Sequence, residues 1–195
     1  MQLADGSDGY VSQQLQEIRE ALPSLTAKCG TSIVITIDGP AGSGKTTLAK
    51  ELELELEGCY TIHMDDLYEG WGSTLTPKLT QKLREILLEV EIENQISFTP
   101  FNWLENNLAP EIKLPAPKYL ILEGVGSGQN AIKDFVSLAL WIEVLPEVGL
   151  ERVIKRDGPA VAQFMPAFLL LQGAHFEKEA TKKRADYRLS GQGTV

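Results

Sequence analysis

Two groups of residues in this chain have the types and spacing to do chemistry. The first is Gly39-Pro40-Ala41-Gly42-Ser43-Gly44-Lys45-Thr46, continued by Thr47. Its spacing, G-x-x-x-x-G-K-[ST], suits a phosphate-binding loop. Glycines let backbone N–H groups close around anionic oxygens, and a helix N-terminus behind them adds partial positive charge. In such a loop Lys45 reaches the terminal phosphates and the Thr46 hydroxyl faces Mg²⁺. The second group is a set of carboxylates, Asp65, Asp66 and Glu123, each placed where an apolar run ends. Phosphoryl transfer needs a metal site and a carboxylate to take the proton of the attacking hydroxyl. Glu123 suits the metal, Asp65 suits the base, and Asp66 suits a helix N-cap.

The elements that must position these residues are legible. Ile33-Val34-Ile35-Thr36-Ile37 is a β-branched run and predicts a buried parallel strand. A helix follows the loop, with Leu48, Leu52 and Leu56 on one side. Further strands are expected at residues 59–64, 119–123 and 138–144, with a short final one in "DYRLSG". Helices are expected over about 10–22, where Val11, Leu15, Ile18 and Leu22 form a stripe, and over 77–92, 150–156 and 162–184. Residues 1–9 and 94–118 read as irregular. Strands alternating with helices predict an α/β fold with a mainly parallel sheet. Ligands in such sheets lie beyond the carboxyl ends of the strands, which is where Asp65, Asp66 and Glu123 fall.

At 195 residues the chain is expected to form one domain. A net charge of -9 argues against a broad nucleic-acid or anionic-membrane surface. No apolar run is long enough to span a bilayer. Cys29 and Cys59 form no disulfide or metal pattern and are expected to be reduced thiols of a cytoplasmic protein. The guanine-reading N-K-x-D pattern of GTPases is absent. "LSGQG" at residues 189–193 lies too late in the chain to act as a transporter ATPase signature. His63 is expected to be a satisfied strand histidine and His175 a surface one. Lys178, Lys182, Lys183 and Arg184 are expected to be a solvated helix end.

The order "DGPAGSGKT", "MDDLY", "FNW", "LILEG", "ERVIKRDG", "RADYRLSG" resembles the uridine kinase-like group of P-loop kinases, over residues 31–191. The resemblance implies a P-loop NTPase three-layer sandwich, a mainly parallel five-stranded sheet with helices on both faces. It implies ATP and Mg²⁺ as cofactors and a small hydroxyl-bearing acceptor, with an acceptor-binding region at about 65–118 and a lid at about 152–162. Asp65-Asp66-Leu67-Tyr68 matches the motif that supplies the catalytic base, and Glu123-Gly124 matches the metal-site pair. Arg152 and Arg156 match lid arginines, and Ala185-Asp186 matches a loop near adenine. Phe101-Asn102-Trp103 stands where the family carries a Tyr-Asp-Phe type segment that contacts the nucleoside. With an amide for the carboxylate and no phenol hydroxyl, the expectation is that uridine and cytidine are poor acceptors. A hydrolase and a nucleotide-sensing module are the rival readings, and a homodimer is left open.

Overall fold

In the computed structural model, residues 6–191 are described. In chain order the elements are α1 (Gly6–Ala21), β1 (Ile33–Asp38), α2 (Lys45–Glu55), β2 (Cys59–His63), α3 (Met64–Leu67), α4 (Pro77–Glu93), β3 (Gln95–Phe98), β4 (Phe101–Asn102), β5 (Asn107–Leu108), β6 (Ile112–Pro115), β7 (Tyr119–Glu123), β8 (Val136–Glu143), α5 (Pro146–Asp157), α6 (Met165–Glu179), α7 (Thr181–Arg184) and β9 (Tyr187–Ser190).

A five-stranded sheet in the order β2-β7-β1-β8-β9 forms the middle layer, and all its neighbours are parallel. Alternation along β1 explains the layering, because successive side chains of a strand point to opposite faces. Ile33, Ile35 and Ile37 pack with Ile18 of α1, Leu22 of the 3-10 turn that follows it, and Leu48 and Leu52 of α2. Val34 faces the other way, into a second core with Leu79, Leu83, Leu87 and Val90 of α4 and Phe168 of α6. The apolar stripe of α4 is thus what anchors it to the sheet; each fully buried Leu or Val adds about 1.5–3 kcal/mol of hydrophobic stabilisation. The result is an α/β three-layer sandwich, as the sequence predicts.

Register carries the chemistry. Ile37 and His63 both lie opposite Glu123, so the carboxyl ends of β1, β7 and β2 are level. Among the described residues, no helix is long and apolar enough to cross a membrane.

The structure differs from the sequence expectation in four places. The first helix begins at Gly6, earlier than its apolar stripe; Val11's side chain and residues 1–5 lie outside the described residues. The stretch 94–118 contains two antiparallel hairpins, β3 with β6 and β4 with β5. Their strands are too short, and too interrupted by proline, to show a period. Helix α5 starts at Pro146, where a missing N–H costs nothing. The helix expected over 162–184 is broken instead. Residues 159–163 form a 3-10 turn, α6 starts at Met165 with Pro166 in its first turn, and Ala180 adopts a left-handed φ of 51° before α7.

Candidate active site

The site grows from the end of β1. Asp38 is fully buried, and its carboxylate accepts hydrogen bonds from the backbone N–H groups of Gly39 (2.7 Å), Gly126 (3.1 Å) and Gly128 (2.8 Å). It therefore ties the base of the glycine loop to the segment that follows β7. Burial pushes its pKa up to about 6, against those N–H groups and the Lys45 charge. The loop itself lies against α5 with no room between. A Cβ on Gly42 would stand 2.2 Å from the Gly149 carbonyl oxygen, and one on Gly149 would stand 2.5 Å from that of Ala41. Gln172 of α6 accepts from the Ala41 N–H at 3.0 Å. Gly44 caps α2 at a φ of 95°, a conformation glycine adopts without strain.

Lys45 is buried, and its Nζ donates to the Pro40 carbonyl at 2.7 Å. Burial lowers its pKa, opposed by Glu123, Asp38 and Asp65. Thr46 Oγ1 donates to Glu123 Oε1 at 3.2 Å, and His63 Nδ1 lies 2.6 Å from Glu123 Oε2. The hydrogen bond to Glu123 raises the His63 pKa above the usual imidazole range, against the cost of burial. Asp65, in α3, is open to the cleft and otherwise surrounded by protein. Its pKa is raised by that desolvation and by Glu123, and lowered by Lys45 and Arg156. Two cavities meet at Lys45 and Thr46. One of about 300 Å³ runs along the glycine loop past Gly44, Thr47, Lys50 and Arg152. The other, of about 580 Å³, contains Asp65, Glu123 and Arg156 and continues to a wall of aromatic side chains.

The structure brings most of the sequence-predicted residues together: Lys45, Thr46, Asp65, Glu123, Arg156, Tyr68 and Trp103 line the larger cavity. The N-cap position of α3 belongs to His63, so Asp66 sits in the first turn rather than at the cap. Arg152 lies on the smaller cavity and is engaged by backbone. Its Nη1 donates to the carbonyls of Gly191 (2.6 Å) and Gly42 (3.4 Å), clamping the end of β9 to the glycine loop. Arg156 pairs through two hydrogen bonds with Asp157 and is the arginine that borders both cavities.

Ala185 and Asp186 are not brought to the glycine loop. They precede β9, whose first residue Tyr187 pairs with Leu140 of β8, itself opposite Ile37 of β1. There Asp186 Oδ2 accepts from the Ala139 N–H at 2.8 Å, and both residues border a separate cavity that shares no residue with the other two.

Asn102 and Phe101 are also corrected. Asn102 Oδ1 accepts from the backbone N–H groups of Leu104 (3.0 Å) and Glu105 (3.1 Å), closing its own turn, and neither it nor Phe101 borders the cavity. Phe101 instead supports Trp103 edge-on, with ring centroids 5.3 Å apart. Asn102→Asp keeps the oxygen that closes the turn. It is expected to change the ratio of kcat/KM between any two acceptors by less than about twofold, and Asn102→Ala to cost up to about 1 kcal/mol of stability. Acceptor kinetics and thermal melting check this, and a tenfold shift in acceptor preference would contradict it.

Sequence reading missed Asp38, which looks like the tail of a strand, and His63, whose partner is sixty positions away. It also missed Trp71, Phe164 and Phe168, three rings of the cavity wall. Only the run "EGW" beside "DDLY" hinted at the first of them.

No family model matches this sequence, and no curated protein does. Solved structures do. A possible uridine kinase from Bacillus stearothermophilus superposes with a TM-score of 0.63 at 19% identity, covering 92% of this chain and 99% of that one. A protein assigned as a fructose transport system kinase, from Silicibacter sp. TM1040, gives 0.62 at 13% identity, covering 87% and 95%. The fold is therefore a uridine kinase-like P-loop kinase fold.

Proposed function

We propose that this protein is an ATP-dependent kinase that transfers a phosphoryl group to the hydroxyl of a small molecule, as uridine kinase-like enzymes do. One observation carries the reading: a single cleft has the glycine loop and Lys45, an aromatic wall and the Asp65 carboxylate all on its lining. A simple NTP hydrolase has no use for such a wall. The backbone N–H groups of Gly42, Gly44, Lys45 and Thr46 cradle the phosphates, with Thr47 and Lys50 along the same groove.

The oxygen donors Thr46 and Glu123 suit Mg²⁺, a hard ion that takes one or two carboxylates and completes its shell with phosphate and water. When bound there, Mg²⁺ would neutralise charge on the phosphate oxygens.

The chain's own groups do the rest. His63 fixes one oxygen of Glu123 and leaves the other toward Thr46. Asp65 accepts the proton of the acceptor hydroxyl as its oxygen bonds to the γ-phosphorus and the bond to ADP breaks. Lys45 follows the charge on the transferred group, and Arg156, held in place by Asp157, faces it from the end of α5. The aromatic wall excludes water from the reacting phosphoryl group, which disfavours hydrolysis.

Acceptor-dependent ADP release tests this. We expect little release with ATP and Mg²⁺ alone and at least about a hundredfold more with a suitable alcohol. Release that ignores the acceptor would make the protein a hydrolase. ATP binding with no release against any alcohol would make it a sensor.

A further inference from the structure

The acceptor end of the larger cavity is chemically one-sided. Trp71, Trp103, Phe164, Phe168, Met165 and Val161 form its wall. Trp71 stacks on Phe164 with centroids 4.9 Å apart and planes 5° from parallel, while Phe168 and Trp103 meet Trp71 edge-on at 6.0 and 5.4 Å. These rings come from the turn after α3, the β4–β5 hairpin and the start of α6 with the residue before it, so one box joins three parts of the chain.

The polar side chains in that half are already engaged. Tyr68 Oη donates to the Val125 carbonyl at 2.6 Å, Thr74 Oγ1 to that of Trp71 at 3.4 Å, and Trp103 Nε1 to that of Asp65 at 2.9 Å. A nucleobase or a polyol entering here would give up water and find few replacements, and each unreplaced hydrogen bond lowers affinity by roughly tenfold. Charge is excluded as well. The cations of the cavity, Lys45 and Arg156, stand at the phosphate end, and Arg156 is paired with Asp157. An anionic acceptor therefore meets no cation of its own. A quaternary ammonium needs open ring faces, and the stacking of Trp71 on Phe164 closes two of them.

We infer, building on the kinase reading above, that the acceptor is an uncharged alcohol with an aromatic body, its hydroxyl carried on a short arm such as CH₂OH. Aromatic rings pack on aromatic walls edge-to-face or offset, beyond what area alone gives. The Trp103 indole is bonded to the backbone of Asp65 itself, so a ring resting on Trp103 has its arm beside the base. The reaction balances without a further reagent. The alcohol oxygen bonds to the γ-phosphorus, the β–γ bridging P–O bond breaks to release ADP, and the proton goes to Asp65. The product is an aryl-methyl phosphate.

The test uses two readouts. ADP release is measured with benzyl alcohol, 2-naphthylmethanol, uridine, fructose, choline and pantothenate. Binding of the same compounds is measured by saturation-transfer NMR, without ATP. We expect the aryl methanols to bind and to give kcat/KM at least about tenfold above the other four, and Trp71→Leu and Phe168→Leu to raise their KM about tenfold while KM for ATP moves less than twofold. Preferred turnover of uridine, fructose, choline or pantothenate would overturn the acceptor class and leave the kinase intact. Aryl methanols that bind but never release ADP would keep the pocket's preference and overturn the kinase reading. No binding of any aryl methanol overturns the inference.

Discussion

Lys45→Ala is expected to lower turnover at least about a hundredfold, the scale of losing one preorganised charge contact to a transition state. The geometry explains why the loss is large. The Lys45 ammonium is buried and hydrogen-bonded to Pro40 within its own loop, and it sits where the two cavities meet. Burial lowers its pKa, and the charges of Glu123, Asp38 and Asp65 oppose that lowering. The two nearby arginines are already engaged, Arg156 by Asp157 and Arg152 by Gly42 and Gly191, so neither is expected to replace Lys45. Single-turnover kinetics at saturating ATP and acceptor isolates the chemical step, with thermal melting to verify that the variant is folded. Turnover within tenfold of wild type would show that the loop is not the catalytic centre.

Asp65→Asn is expected to lower kcat by roughly 10²–10⁴ while ATP affinity holds. This variant separates chemistry from packing. Trp103 bonds the backbone oxygen of Asp65, so the aromatic wall keeps its anchor, and among the described residues the carboxylate makes no hydrogen bond that the amide would break. Asp66→Asn, one position on, is expected to change kcat by less than about threefold, because Asp66 does not border the reacting cavity. A base must be ionised to accept a proton, so kcat/KM should fall as pH falls. Burial and Glu123 raise the Asp65 pKa, with Asp66 adding to them and Lys45 and Arg156 opposing, so the fall should begin above the ordinary carboxylate range. Asp65→Asn should remove that acid limb. If Asp66→Asn gives the large loss and Asp65→Asn the small one, the base is Asp66.

The glycine loop was legible in the sequence because everything that makes it work is local. A β-branched strand, glycines at fixed offsets, a lysine and a helix lie within some twenty residues, and the backbone geometry follows from their types. Glu123 and Asp65 were legible for a related reason. Each ends an apolar run, and parallel strands place such ends on one side of a sheet. Asn102 was open to a local reading too: an Asx side chain that closes its own turn is a recurrent pattern. Comparison with a family motif drew attention to its charge instead. Tertiary structure alone decided the rest. Ala185 and Asp186 border a cavity apart from the loop because β9 pairs with β8 at the edge of the sheet, and strand order is not written in a short strand. Asp38 became a structural pivot through N–H groups nearly ninety residues away. The acceptor wall comes from Trp71, Trp103, Phe164 and Phe168, spread over almost half the chain. Taken singly, each of these rings reads as ordinary core. Only the packing of three separate parts of the chain against one another leaves a cavity between them, and a cavity is a property of distances that no periodicity along the sequence encodes.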